Sequence, residues 1–600
     1  MRGFAAVLVA LLATAAAPAA AATERPIVYV VVIDGLDGDR VDAGMAPFIS
    51  SLIAGEGGRA TYYQESRSVI IAETNPNHVA MMTGAYIESS GTAGNGYGLY
   101  APVEEDTCKT TGPFDYSKPP TLTSGEDASC LMAETVFAAI KRQRNPDRLV
   151  TAAVLGKPKL GAIFAGKKVN PKRRDVDHLW SPCSGSLEGD EDYCDDDADT
   201  NPASGYTLTD AVVMDEVLRT VEEGVAPAGG GDPRRPDFTF VNLPQVDSGG
   251  HAFGPLSAYD AAIGMADTEI RRLVEALRER GEWDRSVVIV LSDHSMDLTP
   301  TKTQLGDILE AEGIDESTFT VIGNGNAAML YLANRTAEDR FDLLKRIRAA
   351  ALTSPEIAEA LYREPNPEDG GAQFTIDGVH PSWHASGERT GDMLVMHTPG
   401  GAFLDTGESS NPLTDVAPTF IGQHGASQTR DNFFAVLGGG DHVRRQSIEG
   451  SRAPDFDDTL QNPRQAENVD PAPTVMGLFG LDAPEDSNGR FLSEAFDLRA
   501  LAGRGRPHKP GLRVRRVGGG KGDGCRVRRY RARLKPAGGT FRVRLVSGRR
   551  SRILALQTRK TRIRFKVREG RRWRVTGKRR AASGVYSKST KRRIDLRRAC

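Results

Sequence analysis

The chain has 600 residues, more than one hydrophobic core usually organises, so one large domain and at least one smaller one are expected. A hydrophobic content of 39% excludes wholesale disorder. The net charge of -2 hides an asymmetry: residues Leu501 to Cys600 hold 36 of the 77 Lys and Arg but only 3 of the 79 Asp and Glu, leaving 41 basic and 76 acidic groups to the first 500. The body thus carries about -35 and the last hundred residues about +33, which predicts two units with different partners.

The chain opens with MRGFAAVLVALLATAAAPAAAATERP, a single basic residue, an apolar run and an Ala-rich stretch suited to cleavage near Ala20 to Ala22. Residues 1–22 read as a secretory signal, and no later run of about 18 apolar residues offers a membrane span. A secreted or cell-surface-associated protein is expected. Six cysteines agree with an oxidising compartment. The simplest pairing joins Cys108 to Cys130, Cys183 to Cys194 and Cys525 to Cys600, although spacing leaves the connectivity open.

From Ile27 onward the body reads as α/β. Continuous apolar runs typical of buried parallel strands occur at Ile27 to Ile33, Leu149 to Leu155, Phe238 to Leu243 and Ser286 to Leu291. Helical patterns separate them, the clearest placing Ile263, Ala266, Ile270, Leu273 and Leu277 on one face ahead of Gly281. A mostly parallel central sheet with helices on both faces is the expected architecture. The catalytic unit is expected over 23–500, with a small inserted subdomain at about 327–399. A linker over 501–512 precedes a small all-β C-terminal domain over 513–600, where FRVRLV and TRIRFKV alternate apolar with basic residues.

Open α/β sheets bind ligands at the carboxyl ends of their strands. Asp34 comes directly after the first strand; Asp247 and His251 come after FTFVNL in PQVDSGGHAFGP; Asp293 and His294 come after SVVIVL in SDHSM; His424 lies in IGQHGA. Any one of these alone fits a helix cap or a satisfied core histidine. The ordered set suits two metal ions of the kind held by carboxylate and imidazole, and is too large for one tetrahedral ion. Thr74, in AETNPNHVAMMTG, stands before a helical stretch, where a threonine is either a cap or a hydroxyl aimed at an anion.

The motifs IDG, TNPNH…TG, YIESSGTAGN, DSGGHAFGP, SDHSM and QHG, in this order, resemble the alkaline phosphatase superfamily, in its type I phosphodiesterase and nucleotide pyrophosphatase branch. The resemblance covers roughly Pro26 to Leu437 and implies an alkaline-phosphatase-like fold. It implies one ion, most readily zinc, on Asp247, His251 and His424, and a second on Asp34, Asp293, His294 and the oxygen of Thr74. It further implies Thr74 as the nucleophile, a phosphothreonyl intermediate, and Asn95 as the amide that contacts a phosphoryl oxygen. A small phosphorylated substrate is the expected partner. Where the family usually has Gly after SDH, this chain has Ser295, which implies a local backbone adjustment.

After Leu155 comes GKPKLGAIFAG, placing Lys157 and Lys159 at the same sheet edge. They read either as solvated loop lysines or as a clamp for a second anionic group on the substrate. Similar lysines act on the substrate carboxylate in phosphonoacetate hydrolases of the same superfamily. A phosphomonoesterase or a phosphonoacetate-type C–P hydrolase is therefore the alternative to a diesterase. The acidic run through Asp195, Asp197 and Asp199 lacks the Gly and Glu of a calcium loop and reads as solvated. The basic C-terminal segment is a candidate to bind anionic cell-surface polymer or lipid headgroups. Its sparse aromatic residues argue against specific nucleic-acid binding.

Overall fold

The computed structural model describes residues 25–497 except 105–106, 144–148, 166–174, 183–193, 196–208, 229, 405–420 and 449–464. It also describes the strands between 511 and 594. The expected signal segment and positions 501–510 of the expected linker lie outside the described residues. So do Cys183, Cys600 and most of the acidic run near Asp197. Cys108 and Cys130 form a disulfide.

The central sheet has nine strands. Across it stand Gln446–Ile448, Arg59–Arg67, Asp431–Gly438, Ser286–Leu291, Ile27–Ile33, Phe238–Leu243, Thr151–Leu155, His178–Pro182 and Cys194–Asp195. All neighbouring pairs are parallel except those made by Asp431–Gly438, which runs antiparallel to both its neighbours. Thr151–Leu155 starts two residues later than its apolar run, because Val150 N bonds to the Asp237 carboxylate beyond the end of the ladder.

Why the strands read as unbroken apolar runs is visible in Ile27–Ile33. Val28, Val30 and Val32 enter the core on one face of the sheet, and Ile27, Tyr29, Val31 and Ile33 enter the core on the other. Both faces are covered, so alternation with polar residues is absent. The helix Ser257–Glu279 covers one face through Tyr259, Ile263, Ala266, Ile270, Leu273, Val274 and Leu277. Its Asp267 accepts the backbone N–H groups of Phe48 and Ile49 at 2.8 Å. That bond caps the helix Pro47–Ala54, whose own N-cap residue Ala46 has no side chain to do so.

A second sheet of four antiparallel strands is built from Phe319–Asn324, Ala327–Leu332, Met393–His397 and Ile357–Tyr362, with the helix Arg340–Ala351 packed on it. Its first strand lies ahead of the 327–399 segment. Beyond residue 510 the described strands form one sheet of three and one of four. Register pairing in the former sets Leu512 opposite Leu534 and Tyr530 opposite Phe565.

Candidate active site

Three adjacent strands of the central sheet, Ser286–Leu291, Ile27–Ile33 and Phe238–Leu243, end side by side. Asp34 directly succeeds Ile33, and Asp293 and His294 lie just past Leu291. Asp247 and His251 occupy successive turns of the helix Gln245–Phe253, the next element after Phe238–Leu243. His424 comes directly after the short strand Gly422–Gln423. The structure thus brings all six groups to one edge, and all are buried except His251, which is partly exposed.

Two clusters result. His251 Nε2 and His424 Nε2 lie 3.4 and 3.5 Å from Asp247 Oδ1 and 3.2 Å from each other. His294 Nε2 lies 3.3 Å from Asp293 Oδ2 and 3.8 Å from Asp34 Oδ1. Ligand atoms of Asp34, Asp293 and His294, and those of Asp247, His294 and His424, each fall within 4.8 Å of one another, so His294 stands at the boundary.

The donor chemistry fits divalent cations. Each imidazole faces a main-chain carbonyl through Nδ1: His251 to Gly422 O at 2.9 Å, His424 to Ala72 O at 3.0 Å and His294 to Ser295 O at 3.1 Å. A carbonyl can only accept, so Nδ1 carries the proton and every Nε2 presents a lone pair to the centre. Burial pushes the His294 pKa down to about 4 and holds His424 well below its usual value, which keeps both rings neutral. Two such nitrogens 3.2 Å apart suit a shared divalent cation. Asp247 Oδ1 and Asp293 Oδ2 are likewise buried and accept no hydrogen bond, as expected of atoms reserved for metal.

Thr74 opens the helix Thr74–Thr83 as its first helical residue; the N-cap is Glu73. The hydroxyl is therefore free of capping duty, and its Oγ1 sits 3.5 Å from His294 Nε2. The Glu73 carboxylate makes no capping bond and instead accepts the Asn95 N–H at 2.7 Å. Asn95 Oδ1 accepts the Asn75 N–H at 2.9 Å. That orientation leaves the Asn95 Nδ2 without a protein partner among the described residues, beside the first turn of the Thr74 helix.

The two lysines part company. Lys157 is buried, and its Nζ donates to Asp247 Oδ2 at 2.6 Å, to Asp34 Oδ1 at 2.9 Å and to Thr74 Oγ1 at 3.4 Å. Burial works against its charge, but the Asp247 and Asp34 carboxylates outweigh it and hold the pKa above the ordinary lysine value. The same ammonium offsets the burial of both partners, so Asp34 and Asp247 titrate below the usual range. Asp293, with no such neighbour in contact, is raised by burial and by the Asp34 charge. Lys159 has no hydrogen-bonding partner among the described residues, and burial together with the Lys157 charge lowers its pKa.

Sequence reading does not single out the polar groups under the carboxylates. Asn242 Nδ2 donates to Asp34 Oδ2 at 2.8 Å and to His78 Nε2 at 3.1 Å, while His78 Nδ1 bonds Thr74 O at 2.9 Å. Burial pushes His78 down to about 4, so it is neutral. Asn468 Nδ2 reaches Asp293 O and Asn77 Oδ1, both at 2.9 Å. The available signal is Asn242 itself, a polar residue inside the apolar strand FTFVNL, where strand propensity disfavours it. Gly35 binds the arrangement together: its N–H donates to Asp293 Oδ1 at 2.9 Å and its carbonyl accepts from Tyr259 Oη at 2.6 Å. It adopts φ +77°, and a Cβ there would meet Asp247 Cα at 2.9 Å.

Comparisons with known proteins agree with this geometry. The family model described as type I phosphodiesterase / nucleotide pyrophosphatase matches residues 28–427. A venom phosphodiesterase of Naja atra is 35% identical over 65 residues, 11% of this chain and 8% of that protein. Ectonucleotide pyrophosphatase/phosphodiesterase family member 3 of Bos taurus is 38% identical over 66 residues, again 11% and 8%. The chain therefore spans under a tenth of the length of these curated relatives. Murine ectonucleotide pyrophosphatase / phosphodiesterase 5, solved as an inactive variant in complex with AMP, superposes with a TM-score of 0.51 at 15% identity. That superposition covers 77% of this chain and 96% of the murine one, and shows a shared fold. The match over two thirds of the sequence makes the chain a member of the type I phosphodiesterase / nucleotide pyrophosphatase family.

Proposed function

We propose that this protein is a hydrolase of phosphodiester or nucleotide pyrophosphate bonds that works through a phosphothreonyl intermediate on Thr74. The observation that carries the reading is the position of Thr74 Oγ1 beside a set of lone pairs and unpartnered carboxylate oxygens that fits divalent cations. One ion would rest on Asp247, His251 and His424, and a second on Asp34, Asp293, His294 and Thr74 Oγ1. Zinc suits these donors. Two such ions supply Lewis acidity for the nucleophile and neutralise charge on the leaving oxygen.

The remaining steps belong to the chain. Thr74 Oγ1 attacks phosphorus as the bond to the leaving oxygen breaks, and water then cleaves the phosphothreonyl ester, restoring the hydroxyl and releasing a phosphate monoester. Asn95 Nδ2, its carbonyl already held by Asn75 N–H, donates to an equatorial oxygen. Hydrolysis of bis(p-nitrophenyl) phosphate, p-nitrophenyl phosphate and phosphonoacetate should be compared. A clear diester preference is expected, and a monoester preference that collapses in Lys157→Ala removes the assignment.

The lysines favour the second reading, a phosphomonoesterase or phosphonoacetate-type C–P hydrolase. Lys157 adds a positive charge at the reacting centre, and Lys159 is a cation behind it with no partner among the described residues. Such a pair suits a substrate with an additional negative group. We further read 23–500 as the catalytic unit, with an inserted subdomain at about 327–399. The 1–22 segment supports export, and the basic 513–600 segment supports cell-surface retention through anionic polymer or lipid headgroups. The charge of about +33 after residue 500 favours that retention. Release of the intact protein from cells by salt, and not of a chain ending at residue 500, tests it.

A further inference from the structure

At the far end of the second sheet from the active site lies a cavity of about 390 Å³. Among its walls are Tyr116, Leu332, Arg335, Arg340, Phe341 and Arg363. The strand Ala327–Leu332 joins the two places: the residue before it, Asn326, donates its N–H to His424 O, and Leu332 at its other end borders the cavity. Six residues at about 3.4 Å each put the cavity roughly 20 Å from the His424 backbone.

The donors and acceptors in this cavity do not balance. Asp392 is buried and engaged: its Oδ2 accepts from Arg335 Nε (3.0 Å), Leu332 N (2.9 Å) and Tyr100 Oη (3.0 Å), and Arg335 Nε also lies 2.8 Å from Oδ1. Glu388 is engaged by Tyr116 Oη at 2.7 Å. Arg363 lies 3.6 Å from Asp392 Oδ1 and 2.8 Å from the exposed Glu364, and its buried Nε has no acceptor among the described residues. Arg340 rests 4.1 Å above the Phe341 ring and gives one bond, to the Ala337 carbonyl. It pairs with no carboxylate among the described residues. Arg340 thus brings a guanidinium with no carboxylate partner among the described residues, and Arg363 one shared with exposed Glu364, to a space walled by apolar Leu332, Leu344 and Phe341 and by the already engaged Glu388 and Asp392.

We propose that this cavity binds a small organic anion, with its carboxylate or phosphate on Arg340 and Arg363 and an apolar or aromatic body against Phe341 and Leu344. Guanidinium groups match such oxyanions through paired N–H donors. The size is that of a small-molecule pocket, and an isolated inorganic ion leaves most of it empty. The site is separate from the reaction centre, so the inference stands whether or not the proposed chemistry is correct.

Calorimetry on the metal-loaded full chain, titrated with benzoate and with inorganic phosphate, tests it. Benzoate is expected to bind at one site per chain, more tightly than phosphate does at the same site. Arg340→Gln and Arg363→Lys should each weaken benzoate binding at least tenfold, with melting temperature and kcat on bis(p-nitrophenyl) phosphate unchanged. Arg363→Lys keeps the charge and removes the paired guanidinium donors, so it reports on oxyanion recognition even if Arg340→Gln folds poorly. Absence of saturable benzoate and phosphate binding outside the active site overturns the proposal, as does benzoate binding that both variants leave intact. Phosphate binding as tightly as benzoate at that site, with both lost in the variants, would mean that no organic body is recognised, and also overturns it.

Discussion

The two halves of the active site are held in different ways. In one half, His251 and His424 are aimed by the main-chain carbonyls of Gly422 and Ala72. In the other, Asp34 takes a bond from the buried side chain of Asn242, which also reaches His78, and Asn468 holds the Asp293 carbonyl while the Gly35 N–H holds its carboxylate. A carbonyl is present whatever residue occupies the position, whereas an amide side chain is lost with one substitution. The two imidazoles of the first half are consequently robust to sequence change around them, whereas Asp34 depends on a particular residue far away in the chain.

The largest test of this contrast is Thr74→Ala, at the boundary between the halves. It should lower kcat on bis(p-nitrophenyl) phosphate by at least about 10³-fold. The melting temperature and metal content should change little; near-normal turnover would mean the two halves do not serve this hydroxyl. Next, Asn95→Ala removes one donor for developing charge and leaves both halves untouched. A loss of about 10²-fold in kcat is expected, with metal affinity unaltered.

Asn242→Leu should break the symmetry itself. It removes the donor to Asp34 and His78, and losing a buried support of a ligand typically costs about 10- to 100-fold in metal affinity. Chelator titration should show one ion leaving more easily while the other stays; equal weakening of both would refute the division into halves. Lys157→Met has the smallest effect on chemistry and is best seen without metal. In the chelated protein it strips a cation from between Asp34 and Asp247, leaving buried carboxylates unpaired. A loss of about 3–5 kcal/mol is expected. Metal loading should restore most of it, read as a melting-temperature gap between variant and wild type that closes on adding zinc.

The candidate ligands of both halves are legible in the sequence alone, whereas the groups that support them are not. Asp34, Asp247, Asp293 and His294 announce themselves because parallel strands deliver their successor residues to one edge, and the apolar runs reveal the strands. The helix Ser257–Glu279 is equally plain from its spacing. Anything set by side-chain direction across long separations is hidden from that reading. Asn242 and His78 are 164 residues apart, and Asn468 and Asp293 are 175. In sequence, Lys157 is one of two similar loop lysines; only the fold shows it crossing between carboxylates while Lys159 has no such partner among the described residues. Thr74 reads as cap or nucleophile, and spacing alone does not show that the extended cap conformation belongs to Glu73.

Gly35 carries a consequence of another kind. Its amide holds Asp293, its neighbour is Asp34, and its α-carbon leaves no room for a methyl group beside Asp247. The close approach of the two halves thus depends on a missing side chain as well as on the candidate ligands. Anyone wishing to retune the spacing of the two clusters should leave their side chains alone and alter that hinge of empty space, where one added carbon would press on the Asp247 backbone.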